Sequence, residues 1–270
     1  MTCEQAHRLA RERGASGLLY LLARLALVPL LRLYFRVRIS GAEHIPKRGA
    51  AIIAANHKDF WDAFFIALAT KRHVRFMTAS ETMCGTPGPL LVRLGAFPVR
   101  RGESDQDAIE TARVILRAGG LVGVFPEGDT IATADVLGAP HRGAARLALE
   151  LGVPLVPAAI TGTDQLRLGP ILKPKRVQVA FLPPIAVAAQ PSPTPAAAAE
   201  LIEDRLWPAV QAEFSRLRSR PGMIAAALAT LGIGALALRR RTAGERARNP
   251  PSRLPQWRGA AAQLRGRRRR

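Results

Sequence analysis

The segment Asn56-His57-Lys58-Asp59-Phe60-Trp61-Asp62 places an imidazole and a carboxylate five residues apart. A carboxylate on one ring nitrogen of a histidine fixes the tautomer and raises the basicity of the other. That second nitrogen is then able to take a proton from a hydroxyl. The pair meets only if the chain turns between them, and the flanking residues provide for a turn. GAAIIAA (49–55) is an uninterrupted apolar run of strand length, and Asp62 opens a helical candidate over 62–70. His57 is therefore expected just past the end of a buried strand, where ligands collect in open α/β sheets. Taken alone, the same residues read more readily as a surface histidine beside a capping aspartate.

The elements that must position this pair follow from the hydropathy rhythm. Apolar runs of strand length occur at 50–55, 74–78, 96–99, 121–125, 155–160 and 177–182. Helical candidates lie at 62–70, 104–118, 143–151 and 196–218. Strands alternating with helices predict an α/β fold, a mixed and largely parallel sheet flanked by helices. AAQPSPTPA (188–196) reads as a linker before a last helix. No internal repeat is evident. The chain has 270 residues, which suits one catalytic domain with appendages.

Those appendages are read at both ends. From Gly17 to Arg38 the sequence is apolar, interrupted by Arg24, Arg32 and Arg36 within one arc of roughly 120° at 100° per residue. Pro29 should kink or break a helix here. A continuous span needs about 20 apolar residues with few charges, so an amphipathic helix pair lying on a membrane is expected over 1–38; a helix packed on the domain is the plainer alternative. The catalytic region is placed at 39–220. Residues 223–238 carry no charge; as a helix of about 24 Å they would fall short of a hydrocarbon core of about 30 Å. A membrane-associated segment is expected at 221–238.

Residues 239–270 hold twelve arginines and one glutamate, so this tail accounts for +11 of the net charge of +20. It reads as a disordered end or an electrostatic anchor. The basic body and tail suit anionic membrane lipids or nucleic acid equally, and no nucleic-acid-binding motif accompanies them, so nucleic acid is not the expected partner. With only Cys3 and Cys84, neither a disulfide framework nor a metal site is expected. No secretory signal is read at the N-terminus, and the expected location is the cytoplasmic face of the cell membrane.

Four motifs in order give the histidine a context. The sequence resembles the glycerolipid acyltransferases, whose bacterial members convert lysophosphatidic acid to phosphatidic acid. The first motif, N-H-x-x-x-x-D, is matched by Asn56, His57 and Asp62. The second resembles Gly95-Ala96-Phe97-Pro98-Val99-Arg100-Arg101. The third, F-P-E-G, is matched by Phe125-Pro126-Glu127-Gly128, and the fourth resembles Val153-Pro154-Leu155-Val156-Pro157-Ala158-Ala159-Ile160. The likeness covers roughly residues 40–185.

The resemblance implies roles. His57 would be the general base, oriented by Asp62, with the acceptor hydroxyl attacking a thioester directly. Arg100, with Arg101, would bind the acceptor phosphate, as paired guanidinium donors do well. Glu127 and Gly128 would present a carboxylate and backbone N–H groups to the acceptor's polar head. Arg142, before Gly143, would fill the family's basic position after the third motif. The acyl donor would be acyl-CoA or acyl carrier protein, used as a co-substrate, with no cofactor or metal.

Two residues depart from the family pattern. Asp59 stands where serine is frequent, and Asp129 follows F-P-E-G where threonine is common. Asp129 sets negative charge near the expected phosphate site, so an amino-lipid or glycolipid precursor stays open as the acceptor. A lipid hydrolase would need a nucleophile, and no G-x-S-x-G elbow occurs.

Overall fold

The apolar runs become strands of one seven-stranded sheet. In this computed structural model, residues 1–219 are described, apart from 13–14, 84–86, 101–104, 132, 134, 165 and 169–170. The expected membrane segment at 221–238 and the tail at 239–270 lie outside the described residues.

The strands are β1 (Arg38–Ser40), β2 (Ala51–Ala55), β3 (Val74–Ala79), β4 (Ala96–Val99), β5 (Leu121–Val124), β6 (Leu155–Thr161) and β9 (Gln178–Phe181), in the order β1-β9-β6-β2-β5-β3-β4. A two-stranded sheet pairs β7 (Arg167–Leu168) with β8 (Ile171–Leu172). Only β6 and β9 pair antiparallel in the large sheet; its other neighbours run parallel. The mixed, largely parallel sheet is as expected. Strand β2 is central and buried along its whole length, which explains its unbroken apolar run.

Side chains alternate across β2 and feed two cores. Ile52 and Ala54 face one, with α6 (Gln106–Arg117), α7 (Gly143–Leu151) and the last helix. Ala51, Ile53 and Ala55 face the other, with α2 (Gly17–Tyr34) and α3 (Asp62–Ala67). The last helix starts as α8 (Pro195–Ala199), passes through a π-helical stretch (Glu200–Leu206) and continues to 219. Helix α6 shows how one side chain sets an element. Asp105 Oδ1 accepts from the N–H groups of Asp107 and Ala108, capping the helix, while Ala108, Thr111, Ala112, Ile115 and Leu116 form its buried stripe.

The N-terminal region differs from expectation in three ways. First, residues 3–12 form a helix, α1 (Cys3–Glu12), whose Ala6 and Ala10 are buried in the same core as α6. It packs on the catalytic body, so of the element expected over 1–38 only α2 presents an apolar face outward. Second, α2 runs unbroken through Pro29, and by length and composition it is able to cross a membrane. Leu18, Leu21, Leu22, Leu25, Leu30 and Leu33 are exposed along it. Arg24 instead turns inward and donates to the carbonyls of Ala67 and Leu68, closing the C-terminal end of α3. Third, Cys3 is disulfide-bonded, against the expectation from two widely separated cysteines. The sequence holds one other cysteine, Cys84, outside the described residues.

Two short helices, α4 (Ser80–Met83) and α5 (Gly88–Arg93), fill the β3–β4 connection.

Candidate active site

Three parallel strands, β2, β5 and β4, end on one edge of the sheet, and each delivers part of the site. His57 lies two residues beyond β2. Asn56 secures this exit: its amide donates to the Ile160 carbonyl at 3.0 Å and its Oδ1 accepts from the Ile160 N–H at 2.8 Å. The side chain thus continues the pairing with β6 after the β2 main chain has turned away.

The turn expected between His57 and Asp62 is present. His57 Nδ1 is 3.0 Å from Asp62 Oδ2. The same oxygen accepts from the N–H groups of Lys58 at 2.6 Å and Asp59 at 2.9 Å. Asp62 is fully buried, and its Oδ1 has no hydrogen-bond partner. One carboxylate oxygen therefore organises the turn and the imidazole together. With Nδ1 facing a carboxylate, the ring's Nε2 is left for chemistry.

Stacking fixes the plane of the ring. His57 lies on Phe125 with centroids 4.0 Å apart and planes 9° apart, and Phe125 in turn stacks on Phe76 at 5.8 Å. Gly123 makes this possible, because a Cβ there would meet the Phe76 ring at 2.2 Å. A glycine within a short strand thus sets the attitude of an imidazole on the neighbouring strand.

Glu127 is held by the backbone on both sides. Its Oε1 accepts from the His57 N–H at 2.8 Å, and its Oε2 accepts from the Gly138 N–H at 2.6 Å. Each oxygen accepts one backbone N–H, and the residue lines the same cavity as His57. Burial raises its pKa above the ordinary value, against the opposing pull of those two N–H groups and of Lys58. Glu127 joins the β2 exit to the segment after β5.

Arg100 follows β4. Its N–H donates to Asp105 Oδ2 at 2.8 Å, and its Nε lies 3.5 Å from the same oxygen. Its side chain remains 55% exposed. Burial alone would raise the Asp105 pKa, but the N–H groups of Arg100 and Ala108 and the Arg100 guanidinium outweigh it and hold the pKa below the ordinary value. Arg101 lies outside the described residues. Arg142 Nε donates to Glu203 at 2.8 Å, so its charge is shared with a carboxylate on the last helix, while its side chain stays 53% exposed. The residue before it, His141, lies closer to the third motif. Its ring edge is 2.9 Å from where a Gly128 Cβ would stand, and Gly128 has φ +73°. Glycine is needed there on both counts.

These residues line a cavity of about 1090 Å³. Its polar lining includes Arg100, Asp105, Glu127, Asp129, His141, Arg142, Arg146 and Glu150, and its apolar lining includes Leu27, Val28 and Leu31 of α2 with Phe64, Leu68 and Phe76. His57 lies among both sets, while Asp62 is buried behind it. A cavity lined both by guanidinium groups and by many apolar side chains suits a molecule with a polar head and a hydrocarbon chain. Sequence reasoning assigned no role to Lys58, Asp105 or His141, and none to Phe125 beyond its place in the third motif. Asp105 alone carried a usable signal, as an N-cap type before an apolar-periodic run.

Residues 36–161 match a family model described as Acyltransferase. Over 139 residues the chain is 31% identical to the 1-acyl-sn-glycerol-3-phosphate acyltransferase of Bacillus subtilis (strain 168), a match covering 51% of this chain and 68% of that protein. It is 26% identical over 137 residues to the chloroplastic 1-acyl-sn-glycerol-3-phosphate acyltransferase BAT2 of Brassica napus, covering 49% of this chain and 39% of that one. The solved structure of the 1-acyl-sn-glycerophosphate (LPA) acyltransferase PlsC from Thermotoga maritima shares the fold, with a TM-score of 0.52 at 23% identity over 73% of this chain and 81% of that one. The family match spans the strands that carry His57, Arg100 and Glu127, and with these relatives it establishes that the chain belongs to the glycerolipid acyltransferase family and is an O-acyltransferase.

Proposed function

We propose that the protein transfers a fatty acyl group from a thioester donor, acyl-CoA or acyl carrier protein, to the free hydroxyl of a lysophospholipid, with lysophosphatidic acid the first candidate and phosphatidic acid its product. The observation that carries this reading is the His57–Asp62 pair, at 3.0 Å, with His57 lining a cavity that also holds several arginines and many apolar side chains.

In this mechanism the acceptor head binds near Arg100 and its hydroxyl reaches His57 Nε2. His57 takes the hydroxyl proton as the oxygen attacks the thioester carbonyl. Asp62 remains ionised and stabilises the imidazolium that forms. The tetrahedral intermediate collapses, the carbon–sulfur bond breaks, and His57 returns its proton to the departing sulfur. Atoms and charge balance without an acyl-enzyme. The reaction is placed at the cytoplasmic face of a membrane, with the exposed leucines of α2 in contact with lipid and the basic residues attracted to anionic headgroups.

Asp129 supports a second reading that keeps the chemistry and changes the acceptor. It lines the cavity beside Gly128, where a carboxylate would favour an amino-lipid or an uncharged glycolipid precursor over a phosphate monoester. A panel of lipid acceptors with one acyl-CoA, read by mass spectrometry, separates these readings. Phosphatidic acid formed from lysophosphatidic acid supports the first, and acylation confined to other acceptors supports the second. Acyl release to water with no acceptor would show a hydrolase and overturn both.

A further inference from the structure

Lys58 follows the proposed base directly, yet it does not line the cavity and no step above uses it. Its side chain is 3% exposed. The ammonium donates to the carbonyl of Thr133 at 2.9 Å and to that of Val136. It also lies 5.2 Å from the centre of the Phe214 ring, within cation–π range. A buried ammonium is costly unless fixed partners replace its water. Burial lowers its pKa, while the carboxylates of Glu127 and Asp164 pull the other way.

Those partners share a location. The segment 129–142 leaves the third motif and returns to α7, and Asp129, His141 and Arg142, near its two ends, line the cavity. Its middle is held from several directions. Ile131 N–H donates to the His57 carbonyl at 2.9 Å, Gly138 N–H donates to Glu127, and Asp135 pairs with Arg218 at 2.5 Å. Lys58 contributes two carbonyl contacts to this middle, while its own N–H serves Asp62. One residue therefore links the turn that orients the imidazole to the segment that borders the acceptor's head.

We propose that Lys58 is a positioning residue for the acceptor: its ammonium holds the carbonyls of Thr133 and Val136, so that Gly128, Asp129 and His141 stand at fixed places around the headgroup. The inference rests on the acyl-transfer reading of the site and adds a residue whose effect is on acceptor recognition.

The test compares Lys58→Met and Lys58→Gln in the full chain. Methionine preserves much of the volume and removes the donor; glutamine returns an amide donor without charge. In Lys58→Met the acceptor KM should rise about tenfold, the scale of one well-made hydrogen bond to a buried carbonyl, with the donor KM within about twofold and partial recovery in Lys58→Gln. Amide hydrogen exchange supplies a readout independent of turnover. Residues 131–138 should exchange about tenfold faster in Lys58→Met, with β2, β5 and β6 unchanged. Equal rises in both KM values, or unchanged exchange over 131–138, would overturn the proposal. Loss of protection throughout the sheet in both variants would also overturn it, by reducing Lys58 to general packing. A wild-type protein that transfers no acyl group would overturn the functional reading alone, and the exchange result would then decide the clamp.

Discussion

Replacing Asp62 with asparagine separates the two things the carboxylate does for His57. Oδ2 accepts three N–H groups, from the His57 ring and from the backbone of Lys58 and Asp59, whereas Oδ1 accepts none. An asparagine has one orientation that suits this surround: its carbonyl oxygen takes the place of Oδ2 and its amino group that of Oδ1. The turn and the ring tautomer are kept, and the negative charge is lost. The change in stability should be small, about 1 kcal/mol, since the three hydrogen bonds survive in weaker, neutral form. The change in rate should be large. A full charge on the imidazolium forms only as the acceptor is deprotonated, and an opposite charge at ~4 Å with an effective dielectric of ~20 is worth about 4 kcal/mol. That corresponds to a fall in kcat of roughly a thousandfold. The assay is acyl transfer at saturating donor and acceptor, alongside a urea titration to check the fold. A variant that folds normally and keeps kcat within about tenfold of wild type would refute the idea that Asp62 acts through its charge.

Three further outcomes are expected. Arg100→Ala should raise the acceptor KM by about tenfold or more, through loss of a charge-assisted contact, and leave the donor KM unchanged; an unaltered acceptor KM would reject the phosphate role. Asp105→Asn keeps an N-cap type but loses a charge whose pKa is depressed in the folded protein. That carboxylate contributes stability above its unfolded pKa and loses it as the pH falls through its folded pKa. The stability gap between wild type and variant should therefore be widest at neutral pH and close in acid, as denaturant titrations at several pH values would show; a pH-independent gap would contradict it. Finally, replacing the exposed Leu18, Leu22 and Leu25 with glutamine should reduce binding to anionic vesicles at least tenfold, given ~1.5–3 kcal/mol for each fully buried leucine. Unchanged co-sedimentation would remove α2 from the membrane contact.

How much of this was legible in the sequence depended on how local each feature is. Strands β2, β5 and β6 announce themselves as apolar runs because they are buried on both faces. Strand β1 does not, since Arg38-Ile39-Ser40 is a half-exposed edge of three residues. Helix α1 was hidden because its buried face consists of Ala6, His7 and Ala10, small or polar types that contribute little to an apolar pattern. Pro29 predicts a break that α2 does not make.

The same rule holds in the site. His57 and Asp62 were readable because one short turn joins them. Glu127 was found by its motif, but its engagement with the His57 N–H spans 70 residues. The contact from Lys58 to Thr133 spans 75 residues, and the pairing of Arg142 with Glu203 spans 61. Nothing in a local window distinguishes a carboxylate facing substrate from one facing two backbone N–H groups; only the packing of β2 beside β5 decides it.

Single-turnover acyl transfer by His57→Ala at saturating substrates tests the role of the imidazole most directly. General-base catalysis by His57 requires the transfer rate to fall by at least two to four decades, with donor and acceptor still binding and the fold retained. A folded His57→Ala protein that forms product within tenfold of the wild-type rate would contradict it.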